Sequence, residues 1–158
     1  MWHIYGLLRN LFMLVEPLAG WRHVEVTAQR TMHDYAKIVR WLVDEVYPHV
    51  SSIRLAQDNL NTYTPAALEE TFPPAEARRI LQRLEFHYTP KHGSWLNMAE
   101  IEIAILERNA LSRRLEDEEA LRAPACWPWK PSATRNGEAL SGSSPRVMHA
   151  ASWSGSIR

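Results

Sequence analysis

The stretch LAQDNLNTYTP, residues 55–65, decides the fold. The apolar run that leads into it, residues 52–57, is typical of a β-strand, and it ends on Asp58 and Asn59. Thr64-Pro65 then predicts the start of a helix, because proline is favoured at the first helical position. In open α/β sheets the functional groups collect at the carboxyl ends of strands. The stretch therefore predicts a strand, a turn and a helix, with a candidate site at the turn.

A second stretch, FHYTPKHGSWLNMAEIE at residues 86–102, has a similar form. It predicts a strand over 84–88, a turn over 90–93 and a long helix from Trp95 to about Leu115, with Glu100 and Glu102 near the helix start. If this helix lies beside the earlier strand, Asp58 and one glutamate can converge on a divalent metal. Magnesium prefers carboxylate oxygens, and paired ions of this kind support phosphodiester chemistry.

The remaining pattern predicts a mixed α/β domain. Two strands, 11–15 and 21–27, are joined by a short turn and form an antiparallel hairpin. A helix capped by Thr31 follows and ends before Pro48, and two further helices lie between the third and fourth strands. The order of strand, strand, helix, strand, helices, strand and helix indicates one mixed sheet with a helix layer.

Composition narrows the class of protein. The chain has 158 residues, 46% of them apolar, which is typical of one globular domain. Its formal net charge is zero, so the chain as a whole has no positive electrostatic potential that would attract nucleic acid. No apolar run approaches the ~18 residues of a membrane span, and the start of the chain is a poor signal peptide. We therefore expect a cytoplasmic protein that does not contact a membrane.

The chain changes character after Arg122. Residues 123–158 are rich in Ala, Ser, Pro and Gly and show no periodicity, yet they contain three tryptophans, Trp127, Trp129 and Trp153. Disordered segments usually avoid tryptophan. We expect an irregular, disordered tail, or a tail translated after a frameshift.

Each candidate residue also has a structural interpretation. Asp58 and Asn59 are common turn residues, and a glutamate in the first turn of a helix is favoured by the helix dipole without any chemistry. Lys91 can contact phosphate and Trp95 can stack on a base, or they are a solvated charge and a core aromatic. His92 is a loop residue without a metal-ligand spacing. On spacing alone the structural interpretation is favoured.

Three segments change this balance: NLFMLVEPLAGWRHVEVT (10–27), the run DNLNTYTP…SWLNMAEIEIAIL (58–106) and SRRL (112–115). They resemble the catalytic domain of bacterial transposases of the insertion sequence 630 family, relatives of the mariner elements. The likeness covers residues 10–122. It implies an RNase H-like fold with flanking helices and three acidic residues that bind two Mg²⁺ or Mn²⁺ ions. Such a site cuts donor DNA and joins its ends to a target.

Carried over by position, the resemblance assigns two of the three acids. Asp58 matches the second, and Glu100 matches the third with 41 residues between them. Glu102 is a fallback, but two helical positions turn it ~200° from Glu100, so both cannot face one site. The resemblance also implies that Asn59 supports the site or orders its loop and is a possible DNA contact. It further implies a DNA-facing loop that contains Lys91, His92 and Trp95.

The first acid of the family has no counterpart. It lies on a strand upstream of residue 10, where this sequence has only MWHIYGLLR, a segment unlike the family and without an acid. We therefore expect a truncated domain over 10–122 that lacks its first catalytic strand, which is the central strand of the sheet. Such a chain is expected to be inactive alone.

Two other functions stay open. The chain can be a non-catalytic interaction module that pairs with or inhibits an intact transposase, or that binds DNA weakly through Arg78, Arg79, Arg83 and Lys91. A more distant alternative is a small metal-dependent hydrolase that uses Asp58, Glu100 and a histidine.

Overall fold

The computed structural model describes residues 7–58, 63–90, 98–106, 108 and 145–157. These residues form five strands and four helices, with a π-helical segment, Leu42–Val46, that continues the first helix. The strands are β1 (Leu7–Glu16), β2 (Trp21–Thr27), β3 (Ile53–Gln57), β4 (Leu84–Tyr88) and β5 (Arg146–Ile157). The helices are α1 (Met32–Trp41), α2 (Pro65–Thr71), α3 (Pro74–Leu81) and α4 (Met98–Leu106).

All five strands belong to one mixed sheet of order β2-β1-β5-β3-β4. β1 is antiparallel to both of its neighbours, β2 and β5, whereas β3 is parallel to both β5 and β4. Helices α1, α2 and α3 supply the main core cluster against one face of the sheet. Helix α4 packs on β5 and β1. The predicted α/β layout, a mixed sheet with flanking helices, is confirmed.

The hairpin forms as the sequence predicts. β1 and β2 pair without interruption from Asn10↔Thr27 to Glu16↔Trp21, and Gly20 adopts a positive φ of 64° in the turn, a conformation that glycine accepts without strain. Successive side chains of a strand point to opposite faces. Accordingly, Trp21 lies in the core cluster, and its neighbour Arg22 reaches Glu102 of α4. The two faces of β2 therefore contact different parts of the domain.

Helix α1 is capped by Thr31, as the sequence predicts, and the cap is a reciprocal capping box with Asp34. The Asp34 backbone N–H donates to Thr31 Oγ1 at 3.1 Å, and the Thr31 N–H donates to the Asp34 carboxylate at 3.2 Å. The other end of the helical run is held by Arg83. Its guanidinium donates to the carbonyl oxygens of Val43, at 2.9 Å, and of Tyr47 and Val50. This arginine thus supplies donors to carbonyl oxygens at the end of the helical run and in the turn that follows it.

The strand β5 corrects the expectation for the C-terminal region. Of the predicted irregular segment 123–158, residues 123–144 and 158 lie outside the described residues, but Arg146–Ile157 forms a strand. It fills the central position of the sheet, between β1 and β3. β1 and β3 therefore both have β5 as a neighbour, and the hairpin does not pair directly with β3. The sequence of β5, RVMHAASWSGSI, shows neither a regular alternation nor a continuous apolar run, so it lacks the usual strand signal.

A buried polar cluster anchors β5. The Glu16 carboxylate is 2% exposed and accepts a hydrogen bond from the Tyr47 hydroxyl. Arg146, in β5, donates to the other oxygen of Glu16 at 3.3 Å. The neighbouring Met148 side chain is fully buried in the core cluster. A buried carboxylate needs such partners, because an unpaired charge in the interior is costly. The cluster therefore ties the last described strand to the first.

Within the described part of the chain, no helix is both long enough and apolar enough to cross a membrane.

Candidate active site at the end of the central strands

Asp58 lies immediately after β3 and is held by the end of β4. Its carboxylate accepts a hydrogen bond from the Thr89 hydroxyl at 2.9 Å, and the Thr89 backbone N–H donates to the Gln57 carbonyl at 2.9 Å. The side chain is partly exposed. Two neighbouring parallel strands thus fix the carboxylate at the carboxyl end of the sheet, which is where the sequence predicts it.

Buried hydrogen bonds among Tyr35, Gln57 and Tyr63 hold the end of β3 in place. Gln57 is fully buried and accepts from the Tyr35 hydroxyl at 2.7 Å, while its amide donates to the Tyr63 carbonyl at 2.6 Å. Burial raises the pKa of the Tyr35 hydroxyl, which therefore stays protonated and able to donate. These hydrogen bonds link α1, β3 and the entry to α2, so they fix the backbone on both sides of the turn after Asp58.

The strand β5 runs beside Asp58. The register pairs Ala56 with His149 and Gln57 with Ala150, so Ala151 is the next residue along β5, level with Asp58. By strand alternation, Ala151 and His149 share the face of Asp58, which is the face that α4 covers. β5 reads RVMHAASWSGSI and contains no acidic residue. The strand beside Asp58 therefore provides no second carboxylate.

Helix α4 carries the other predicted acid. Glu100 lies in its first turn and is partly exposed, while Ala99 and Ile103 are buried against the sheet. The Met98 backbone N–H, at the helix start, donates to Nδ1 of His149 at 3.2 Å. This contact joins the start of α4 to β5, two residues before Ala151. α4 therefore brings Glu100 to the same face of the sheet as Asp58.

His149 is the residue of this region that sequence reasoning missed. It is half-buried, and burial lowers the pKa of its imidazole, which favours the neutral ring whose Nδ1 accepts the Met98 N–H. The sequence contains seven histidines without a metal-ligand spacing, and His149 lies in the segment without periodicity. No signal in the sequence distinguishes it, because its role depends on pairing between distant strands.

Glu102 is not an alternative to Glu100. It is 7% exposed, and its carboxylate accepts from Nη2 of Arg22 at 2.9 Å, on β2. The two glutamates point in different directions, as the helical geometry predicts. Glu102 therefore holds α4 to the hairpin and is a structural residue, which corrects its assignment as a fallback ligand.

The described residues do not fit a two-metal site. Asp58 and Glu100 are suitable oxygen donors for Mg²⁺ or Mn²⁺. Among the described residues, however, no group of three or more His, Cys, Asp or Glu side chains could hold a metal ion. The remaining residues predicted for this region lie outside the described part of the chain, namely Asn59, Lys91, His92 and Trp95.

Two of the arginines predicted to contact DNA have structural partners. Arg83 binds the three carbonyl oxygens at the end of the α1 run. Arg79 donates to both oxygens of Asp44, at 2.7 and 2.9 Å, and this guanidinium lowers the pKa of the Asp44 carboxyl. Arg78 is exposed. The described part of this basic cluster therefore offers a weaker DNA surface than the sequence suggests.

The sheet order, the carboxylate at the strand end and the second acid on the covering helix define an RNase H-like domain. The chain belongs to the DDE superfamily endonucleases, because the model of that family matches residues 9–122. This match ends before β5, so the central strand comes from outside the matched region. No curated protein and no solved structure shows significant similarity to the chain. DDE superfamily endonucleases act on DNA and generally use divalent metal ions.

Proposed function

We propose that the chain derives from a bacterial transposase of the insertion sequence 630 type and that, alone, it does not cleave DNA. The residues of the resemblance, from the hairpin to the Asp58 turn and the start of α4, support the family within the DDE endonucleases. One observation supports the proposed loss of activity: β5, the strand beside Asp58, contains no acidic residue. We place the protein in the bacterial cytoplasm with DNA as its ancestral substrate.

The physical reason is the number of carboxylates. Two-metal phosphodiester cleavage needs acidic ligands that bridge and orient both ions, and it stabilises the attacking and leaving oxygens together. Here Asp58 and Glu100 remain, and Ala151 occupies the neighbouring position of the central strand. Asp58 and Glu100 would bind Mg²⁺ or Mn²⁺ weakly, since they are two ligands where the family uses three acids.

A gain-of-binding experiment tests this proposal. The variant Ala151→Asp places a carboxylate level with Asp58, and we expect Mn²⁺ to raise its melting temperature well beyond any shift in the unaltered chain, since a ligand that binds only the folded state stabilises it. The double variant with Asp58→Ala should lose the shift. Glu70→Ala, which removes an exposed acid of α2, is the matched control.

A nicking assay on supercoiled plasmid DNA with Mg²⁺ or Mn²⁺ measures activity directly. We expect the unaltered chain to match Asp58→Ala. Metal-dependent nicking by the unaltered chain that disappears in Asp58→Ala would refute the loss of activity.

The alternative function is an interaction module that pairs with or inhibits an intact transposase. The position of β5 supports this alternative. Because β5 fills the central position of the sheet, the domain can fold and present a surface to a partner without a complete catalytic site. Co-expression of a tagged intact transposase, followed by co-purification, tests the pairing. Met148→Ala, which weakens β5, should reduce the pairing, whereas Asp58→Ala should leave it unchanged.

A further inference from the structure

The main chain of β4 has a defined orientation at the edge of the sheet. Within the described part of the chain, the one strand neighbour of β4 is β3, to which it is parallel. Just before β4, the Ile53 N–H donates to the Arg83 carbonyl at 2.8 Å, and just after it the Thr89 N–H donates to the Gln57 carbonyl at 2.9 Å. In a parallel ladder the N–H and C=O of one residue point to the same side, and the side alternates from residue to residue.

The residues between these two contacts therefore alternate in direction. Glu85 and His87 turn their main-chain groups towards β3, whereas Leu84, Phe86 and Tyr88 turn theirs outward. The outward groups form no main-chain hydrogen bond with another described element. Unpaired donors and acceptors at a sheet edge are a template for another strand.

The side chains on one face of β4 are apolar. Leu84 and Phe86 pack, partly buried, against the core cluster. The Tyr88 ring is 40% exposed and stacks on Phe86, with 6.4 Å between the ring centroids and 10° between the planes. A strand added at this edge would cover the part of this apolar face that water now reaches.

The other face of β4 has one acid and one base. The Glu85 side chain is 48% exposed and that of His87 is 53% exposed. Within the chain, one Glu85 oxygen accepts from Arg54 Nε at 3.0 Å, and the other lies 2.9 Å from His87 Nε2. These contacts do not involve the outward main-chain groups. A carboxylate oxygen accepts more than one hydrogen bond, so Glu85 can keep both partners and take a further donor.

The sequence of β4, LEFHY, is complementary to itself in the antiparallel direction. Pairing centred on Phe86 sets this residue opposite itself and sets Leu84 opposite Tyr88 of a second copy. These positions have outward main-chain groups, so each pair exchanges both hydrogen bonds. Glu85 then lies opposite His87 of the second copy. A centre at Glu85 would set two acids opposite each other, which is destabilising.

We propose that β4 is a homodimer interface, in which two copies of the chain pair their β4 strands antiparallel about a two-fold axis at Phe86. The main-chain hydrogen bonds and the apolar face provide affinity, and the pairs of Glu85 with His87 set the register. The same patch serves both copies, so assembly stops at the dimer. The proposal goes beyond the proposed function, since it requires neither metal binding nor nuclease activity.

Sedimentation velocity of the full chain over a range of concentrations tests the proposal. We expect a reversible equilibrium between monomer and dimer. His87→Glu should raise the dissociation constant of the dimer by about tenfold or more, because two attractive cross-strand pairs become repulsive. An equimolar mixture of His87→Glu with Glu85→Lys should regain the dimer, because each variant then sets opposite charges against the other.

The matched controls make the same charge changes away from β4. Glu70→Lys alters an exposed residue of α2, and His49→Glu alters an exposed residue in the turn after the π-helical segment. Both should leave the dissociation constant of the dimer unchanged.

Hydrogen exchange on the unaltered chain is a second measurement and needs no variant. The outward amides of Phe86 and Tyr88 should exchange more slowly as the protein concentration rises. The amides of Glu85 and His87 bond to β3, so their exchange should be slow at every concentration.

Several results would overturn the proposal. A chain that sediments as a monomer at every concentration would do so, and so would exchange at Phe86 and Tyr88 that does not depend on concentration. A dimer that His87→Glu leaves intact would place the second copy on another surface. A mixture of the two variants that stays monomeric would contradict the register at Phe86.

Discussion

The position of β5 in the sheet leads to a sharp prediction for Met148. This side chain is fully buried in the core cluster, opposite Leu55 on β3, and its sulfur accepts from the Tyr47 hydroxyl at 3.5 Å. Met148→Ala removes the part of the side chain beyond Cβ and leaves a cavity that the surrounding strands can fill only in part. Such substitutions cost about 2–5 kcal/mol, whereas a domain of this kind has a free energy of unfolding of about 5–15 kcal/mol. Met148→Ala should therefore remove a large part of the stability of the whole domain.

Urea denaturation followed by tryptophan fluorescence measures the effect. With a slope of about 1–3 kcal/mol/M, a loss of about 3 kcal/mol lowers the urea midpoint by about 1–3 M. Met98→Ala is the matched control, since Met98 is 37% exposed, and the change should stay within about 0.5 kcal/mol. Met148→Leu should cost less than about 1.5 kcal/mol, because it conserves volume.

The opposite outcome would refute the assignment of β5. If residues 146–151 were an irregular tail, Met148→Ala would leave the midpoint unchanged and would behave like Met98→Ala. The Met148→Leu variant keeps the experiment informative if Met148→Ala does not fold, since a solvent-exposed methionine at position 148 would tolerate both substitutions equally. The comparison therefore decides between a central strand and a tail without reference to catalysis.

Three further outcomes are expected. Glu102→Gln should lower the free energy of unfolding by about 1–3 kcal/mol, because the buried carboxylate that pairs with the partly buried Arg22 guanidinium is lost, while Glu100→Gln should be close to neutral in urea denaturation. Burial lowers the pKa of His149 in the folded protein, so as the pH falls the unfolded chain binds a proton at this residue before the folded chain does. The free energy of unfolding should therefore fall as the pH drops below about 6.5. Thermal melts at a series of pH values should show a weaker pH dependence of stability for His149→Asn. Arg83→Met should destabilise the protein by about 1–3 kcal/mol because three carbonyl oxygens lose a donor, whereas exposed Arg78→Met should stay within about 0.5 kcal/mol.

The local part of the fold could be predicted from the sequence. The strand 84–88, the capping box at Thr31 and the helix that begins at Pro65 all depend on neighbouring residues, and each is present in the structure. The positions of Asp58 at a strand end and Glu100 in a first helical turn follow in the same way. Turn chemistry, capping and periodicity act over a few residues, so a single sequence contains them.

The central strand could not be predicted, for a physical reason. β5 is stabilised by contacts that are distant in sequence, such as the ion pair of Glu16 with Arg146, which are 130 positions apart. Its own sequence, rich in small and polar residues, has no regular alternation and so lacks the local signal of a strand. The same limit applies to the partners of Arg83 and Glu102, which lie on other elements. The sequence identifies these charges but not the groups that they satisfy.

The central place of β5 has a consequence for the order in which the protein is made. Synthesis proceeds at about 5–20 residues per second, and the strands on either side of this position emerge long before β5 does. During that interval β1 and β3 have no partner between them, and the nascent chain exposes apolar surface that the finished sheet covers. The domain can complete its sheet only after β5 leaves the ribosome. Its yield in the cell should therefore depend on chaperones that protect the growing chain more than on the stability of the finished fold.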